Sequence, residues 1–266
     1  VTPPGSVVVT GAASGIGRAI AQRLAADGYP VAAVDLHVEQ LEAVVADLRA
    51  AGGRVVAVAG DVRDRDCHRR ARAAATELAP LWGWVGCAGI TRLHDLTDLD
   101  EADAREVVDI NQLGLLWGSA EAVDEWTTAG RPGVLLVISS VHAGHAAERH
   151  PVYEMTKAAA EALVRSVAVT YGPRGIRAVA VAPGAVDTPA LRASMQSAAD
   201  PAAAQHRLEG FSPAERLARP EEIAAVVAFL LSDQAGYISG TAIPVDGGWT
   251  AVLARESQDA EARRRS

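Results

Sequence analysis

Lysine is nearly missing from this sequence: Lys157 is the only one among 25 basic side chains. Cysteine is almost as scarce. Cys67 and Cys87 are the only two, which excludes a disulfide framework; without metal-ligand spacing they read as packing residues in a reducing, cytoplasmic setting. Aromatics make up only 4% of a chain that is 49% hydrophobic, so the core must be built from Ala, Val, Leu and Ile. That palette suits helices packed on buried parallel strands. A surplus of positive charge is missing too. The net charge of −8 denies nucleic acid a basic face, and the closest thing to a basic run, Arg263 to Arg265, sits among Glu256, Asp259 and Glu261 as a solvated tail. No apolar run approaches a membrane span, and Val7 to Val9 lacks the length and basic flank of a signal peptide.

What is present is alternation. Short apolar runs at Val7–Val9, Val31–Val34, Val55–Val58, Trp84–Gly86, Val134–Ile138, Ala178–Val181 and Ala242–Val245 are separated by helical stretches such as Gly17–Asp27, Glu39–Ala51 and Ala158–Tyr171. Seven strands joined by crossover-length helices predict an α/β, doubly wound, Rossmann-type fold: a seven-stranded parallel sheet with helices on both faces. No composition break divides the chain, so residues 1–253 read as one domain and 254–266 as a polar, mobile tail. Residues 189–213 break the alternation. Bounded by Pro189 and Pro213, Ala/Ser-rich and weakly patterned, they read as a substrate lid.

After the first strand, Thr10-Gly11-Ala12-Ala13-Ser14-Gly15-Ile16-Gly17 leads directly into a helix. Glycines there let the backbone turn tightly against a pyrophosphate, whose charge the helix N-terminus meets. Asp35 ends the second strand, where a carboxylate can accept both hydroxyls of an adenosine ribose and would repel a 2′-phosphate; that favours NAD over NADP. The other reading is a turn residue or a cap for a helix at His37 to Gln40. Asp61, ending the third strand, could face an adenine amino group or cap the helix after Arg63.

Lys157 stands four residues after Tyr153, one of four tyrosines, an offset chance would give roughly one time in sixty-five. Residues i and i+4 share a helix face, so the ammonium can stabilise a Tyr153 phenolate and also reach ribose hydroxyls. On its own the pair reads equally as an ordinary helix start. Ser139 and Ser140 close the fifth strand, where a hydroxyl could hold a substrate oxygen beside Tyr153, although paired serines are also common in loops.

Together these residues resemble the short-chain dehydrogenase/reductase family from about Val7 to Gly248. The glycine turn is similar to the family's TGxxxGIG element, Tyr153-x3-Lys157 to its catalytic pair and Ser140 to its catalytic serine. Asn111 resembles the helix asparagine whose backbone holds a relay water. Pro183-Gly184 with Val186 and Thr188 resembles the segment that contacts the nicotinamide carboxamide, and Asp246-Gly247-Gly248 the last turn before a subunit-contacting C-terminus. The resemblance implies catalytic Asn111, Ser140, Tyr153 and Lys157. It implies cofactor contacts from Gly11, Ser14, Gly15, Ile16, Gly17, Asp35, Asp61, Val62, Ala88, Gly89, Tyr153, Lys157, Pro183, Gly184, Val186 and Thr188. It further implies hydride transfer between NAD(H) and a secondary alcohol or ketone, and a homotetramer with a dimer as second choice.

One departure stands out: Gly86-Cys87-Ala88-Gly89 replaces the family's usual Asn-Asn-Ala-Gly, which puts strand stability in question more than chemistry. Ser140, His142, Tyr153 and, from the lid, Leu191 and Met195 are expected to meet a small to medium apolar substrate. His145 and His150 flank His142 without metal-site spacing. Alternatives are an NADPH-dependent 3-oxoacyl (acyl-carrier) reductase and a non-catalytic nucleotide-binding regulator.

Overall fold

The computed structural model describes residues 4–253, which leaves the arginine tail outside the described residues. Strands β1 (Ser6–Thr10), β2 (Val31–Asp35), β3 (Val55–Ala59), β4 (Leu81–Gly86), β5 (Gly133–Ile138), β6 (Ile176–Pro183) and β7 (Thr241–Val245) form one parallel sheet in the order β3-β2-β1-β4-β5-β6-β7. All seven predicted strands and the Rossmann-type winding are present. Strand order reverses between β1 and β4, so a crevice opens at the carboxyl ends of those strands, the place where doubly wound sheets bind ligands.

Alternation along each strand explains the layers. Val7 and Val9 of β1 face a core built with α1 (Gly15–Ala26), α2 (Val38–Ala50) and α9 (Pro220–Leu231). Val8, between them, faces the opposite core, built with α3 (Arg65–Leu78), α5 (Leu115–Ala129) and α6 (Pro151–Tyr171). Cys67 packs there, as predicted. The low aromatic content concentrates bulk in two fully buried tryptophans, Trp84 and Trp126. Trp126 donates its indole N–H to the Leu81 carbonyl at 3.0 Å, and its ring leaves no room for a side chain on Gly133, whose Cβ would stand 2.2 Å away.

Residues 189–213 are more ordered than their pattern predicts. They carry two helices, α7 (Pro189–Gln196) and α8 (Pro201–Glu209), each opened by a proline and capped, by Thr188 accepting from Leu191 N–H and by Asp200 accepting from Ala203 N–H. Proline at the first helical position and a capping side chain set these helices locally, with little buried apolar surface to print a period on the sequence. No helix among the described residues is long and apolar enough to cross a membrane.

Candidate active site

Two glycines of the β1–α1 turn take left-handed backbone, Gly11 at φ +71° and Gly15 at φ +52°. Gly17 is required by proximity: a Cβ there would stand 2.0 Å from the Gly11 carbonyl oxygen. The turn thus lies flat over the start of α1, with Ser14 at the N-cap position and Ile16 half-buried in the first turn. A Cβ on Gly15 would touch Thr188 at 3.3 Å, so the glycine turn and the segment after β6 meet across the crevice. Pro183 ends β6, Gly184 abuts Asp246, and the Val186 carbonyl accepts from Thr188 N–H at 2.8 Å.

Asp35 accepts from Ala13 N–H and from His37 N–H, each at 3.0 Å, one on each carboxylate oxygen. It therefore ties β2 to the glycine turn and keeps lone pairs free for hydroxyl donors. Asp61 is not the helix cap: Asp64 caps α3, because its carboxylate accepts from Asp66 N–H, whereas Asp61 accepts from Arg63 N–H and pairs with the Arg63 guanidinium. That hydrogen-bonded pairing holds the Asp61 carboxyl below the usual carboxylate range. The neighbouring Val62 carbonyl bonds a ring nitrogen of the fully buried His68 at 2.8 Å.

Three elements carry the residues expected to handle the proton. Pro151 opens α6, which places Tyr153 in its first turn and Lys157 one turn on. Lys157 is buried; its Nζ donates to the Ile138 carbonyl at 2.9 Å and lies 5.5 Å from the Tyr153 ring centroid. Ser140 follows β5, and its Oγ accepts from His142 N–H at 3.2 Å, which leaves the hydroxyl proton free to donate. Asn111 sits in a π-helical turn (Asp109–Gly114) between α4 (Glu101–Val108) and α5. Its side-chain amide clasps Ile90, accepting from N–H and donating to C=O at 2.8 Å each, and it also donates to Thr156 Oγ1 at 3.2 Å, which in turn donates to the Tyr153 carbonyl at 2.8 Å. π turns occur often at functional sites because they re-aim backbone groups out of the regular ladder.

Gly89 closes the floor: a Cβ there would lie 3.2 Å from Asn111 Oδ1 and 3.6 Å from Lys157 Nζ. Bare backbone there leaves room for a flat ring to approach. The replacement of the usual asparagines is also explained. Leu115 from α5 fills the space at Gly86, where a Cβ would stand 2.5 Å from its Cδ1, and Thr10 Oγ1 accepts from both Cys87 and Ala88 N–H at 3.0 and 3.1 Å. Strands β1 and β4 are joined there by a hydroxyl instead of amides. Although Cys87 as a residue keeps some solvent access, its thiol is enclosed, and burial pushes it up to about 12.

Beside Tyr153 the structure adds two residues that sequence reasoning missed, Trp249 and Glu154. Trp249, Glu154 and His150 surround His142, and Phe211 stacks on Trp249 with centroids 4.7 Å apart. Trp249 is set by the Asp246 turn, whose carboxylate accepts from Gly248 and Thr250. Only its place right after the glycine pair signalled it. Met195 lies elsewhere: it lines a cavity of about 640 Å³ with Asp187, Arg192, Gln205 and Arg216 that includes none of Ser140, His142 or Tyr153. Leu191 is half-buried in α7.

The sequence model of a family described as enoyl-(acyl carrier protein) reductase matches residues 11–250. A cis-4-hydroxycyclohexanecarboxylate dehydrogenase of Sinomonas cyclohexanicum is 40% identical over 92% of this chain and 96% of its own length. A 3beta-hydroxysteroid dehydrogenase 1 of Eggerthella lenta is 35% identical over 92% and 93%. Among solved structures, a variant of the actinorhodin polyketide ketoreductase with NADPH superimposes with a TM-score of 0.88 at 25% identity, covering 93% of this chain and 98% of that one. With the winding of the sheet and the glycine turn at its switch point, these similarities place the chain in the short-chain dehydrogenase/reductase family, as an oxidoreductase acting on CH–OH and C=O groups.

Proposed function

We propose that this protein is an NAD-dependent dehydrogenase of cyclic secondary alcohols, running in reverse as a ketone reductase. The observation that carries it is the juxtaposition of Tyr153, the buried Lys157 and the Asn111–Thr156 chain beneath Gly89 at the carboxyl edge of the sheet. Nicotinamide supplies a hydride acceptor or donor when bound. Tyr153 then takes the alcohol proton, Ser140 donates to the substrate oxygen and fixes its position, and the Lys157 ammonium stabilises the phenolate. Lys157 would also hold a ribose hydroxyl of the cofactor, and Asn111, locked by Ile90, would hold the relay that returns the proton to solvent.

The glycine turn, Ser14 and Ile16 receive the pyrophosphate. Asp35 receives the adenosine ribose, while Asp61 and Val62 face the adenine. Ala88, Gly89, Pro183, Gly184, Val186 and Thr188 frame the nicotinamide. Asp35 makes no ion pair among the described residues, so its charge stands unopposed against a 2′-phosphate; this supports NAD over the NADPH-dependent acyl-carrier reductase. Ring-shaped substrates of both relatives, and the aromatic edges around Tyr153, support a cyclic alcohol. Helices α7 and α8 serve as lid, with Leu191 as its contact to the substrate. A cytoplasmic homotetramer completes the proposal.

The test is Tyr153→Phe assayed by NADH absorbance with cyclohexanol and cyclohexanone. Turnover should fall by about 10²-fold or more with cofactor binding intact, and unchanged turnover would refute the assignment.

A further inference from the structure

His142 is the centre of the ring cluster in front of Tyr153. Its imidazole meets His150 edge-on at 5.0 Å, Tyr153 at 5.9 Å and Trp249 at 6.1 Å. His150 is already engaged, its Nδ1 bonded to the Glu148 carbonyl at 2.7 Å. His142 is not. Its Nδ1 is buried without a hydrogen-bond partner and lies 3.8 Å from Glu154 Oε1, an oxygen that accepts from Ala147 N–H at 2.6 Å. Nε2 makes no hydrogen bond among the described residues and is not enclosed as Nδ1 is. The ring is half-buried: Nδ1 is enclosed, while Nε2 opens to the crevice, where a ligand can reach it.

Glu154 decides what kind of partner fits. Its carboxylate faces Nδ1, so the ring proton is favoured on Nδ1 and the bare lone pair is left on Nε2. Burial, helped by the neighbouring His150, holds the ring below the ordinary histidine value, while Glu154 pulls the other way; the ring is neutral at neutral pH. A neutral imidazole with its proton on Nδ1 can only accept through Nε2. The partner must therefore be a hydrogen-bond donor. In the dehydrogenase reading the oxygen on the carbon being oxidised is held by Ser140 and Tyr153, so the donor is a different group on the substrate.

Resting on the dehydrogenase reading above, we infer that His142 is a specificity-determining residue whose Nε2 accepts a hydrogen bond from a second hydroxyl, so that the preferred substrates are cyclic diols, oxidised at one carbon to a hydroxyketone. An ionised carboxylate at that position could not donate to Nε2.

The experiment compares kcat/KM, with NAD, for cyclohexanol and for the cis and trans isomers of 1,2-, 1,3- and 1,4-cyclohexanediol. At least one diol is expected to exceed cyclohexanol by roughly tenfold beyond its statistical advantage, the worth of one hydrogen bond. His142→Phe should collapse that ratio, and Glu154→Gln, whose amide can donate to Nδ1, should weaken it. Imidazole ¹⁵N spectra of the wild-type protein supply a readout independent of any variant: a proton on Nδ1 is expected at His142. Equal kcat/KM for all the alcohols, a diol preference that survives in His142→Phe, or a proton on Nε2 would each overturn the inference and leave the dehydrogenase reading standing. Absence of turnover with every alcohol, by protein that binds NAD, would overturn that reading and the inference with it.

Discussion

Burial of single titratable side chains makes the first predictions. His68 is enclosed between Trp84 and Gly118, and desolvation holds its imidazole below the ordinary value. The unfolded chain takes up a proton near pH 6.5 that the folded ring refuses, so this term leaves stability level above about pH 7. Below 6.5 it removes stability, by at most about 1.4 kcal/mol per pH unit, until the folded ring itself protonates. Urea unfolding at pH 7.5 and 5.5 should give a shallower pH dependence for His68→Gln, whose amide can still donate to the Val62 carbonyl; identical slopes would show that His68 is not buried and neutral. The thiols make a parallel case. Burial raises both Cys67 and Cys87, so iodoacetamide should label neither until the protein unfolds. At this scale the sequence was most informative where composition made a residue rare, a lone lysine beside one of four tyrosines, whereas Asn111 came only from the family resemblance. Trp249 and Glu154 were opaque because their role depends on which loops fold against His142, which no local spacing records.

Elements packed at close range are where this chain departs from its family's habit. Leu115 on α5 occupies the space beside Gly86 on β4, and Thr10 on β1 replaces the amide bonds that an Asn-Asn pair would make. Gly86→Asn should therefore destabilise by about 1–3 kcal/mol, as overpacking does. Combining it with Leu115→Ala should recover part of the loss, with a coupling of about 1 kcal/mol in a double-mutant cycle read by denaturant unfolding. Strict additivity would mean that Leu115 is not what excludes the asparagine. The same scale explains why strands were legible and the lid was not. Each buried strand writes an unbroken apolar run, as VVV in β1 or VLLVI in β5, because both faces are covered. Helices α7 and α8 bury almost nothing, Met195 being their one buried residue, and they are set by prolines and caps whose signal looks the same in a loop.

Across the whole molecule, the crevice is assembled from the ends of β1, β2, β4, β5 and β6, so a ligand seated in it stabilises the sheet as a unit. A cofactor present at 100 times its Kd adds about 2.7 kcal/mol of stability. For a chain of this size each kcal/mol moves the melting temperature by about 2–4 °C, so saturating NADH should raise it by about 5–10 °C. Binding and catalysis should separate cleanly in that measurement. Tyr153→Phe should keep the shift while losing turnover, because Lys157, Gly89 and the glycine turn are untouched. Gly17→Val should abolish the shift, since even its Cβ would stand 2.0 Å from the Gly11 carbonyl and must open the turn. Its melting temperature without cofactor shows whether the fold survives. Asp35→Ser should bring the NADPH shift up towards the NADH shift by removing the charge that repels a 2′-phosphate, though part of the NADH shift should also go with the carboxylate's bond to Ala13. A wild-type shift larger with NADPH than with NADH would place the adenosine ribose away from Asp35 and undo the assignment of NAD.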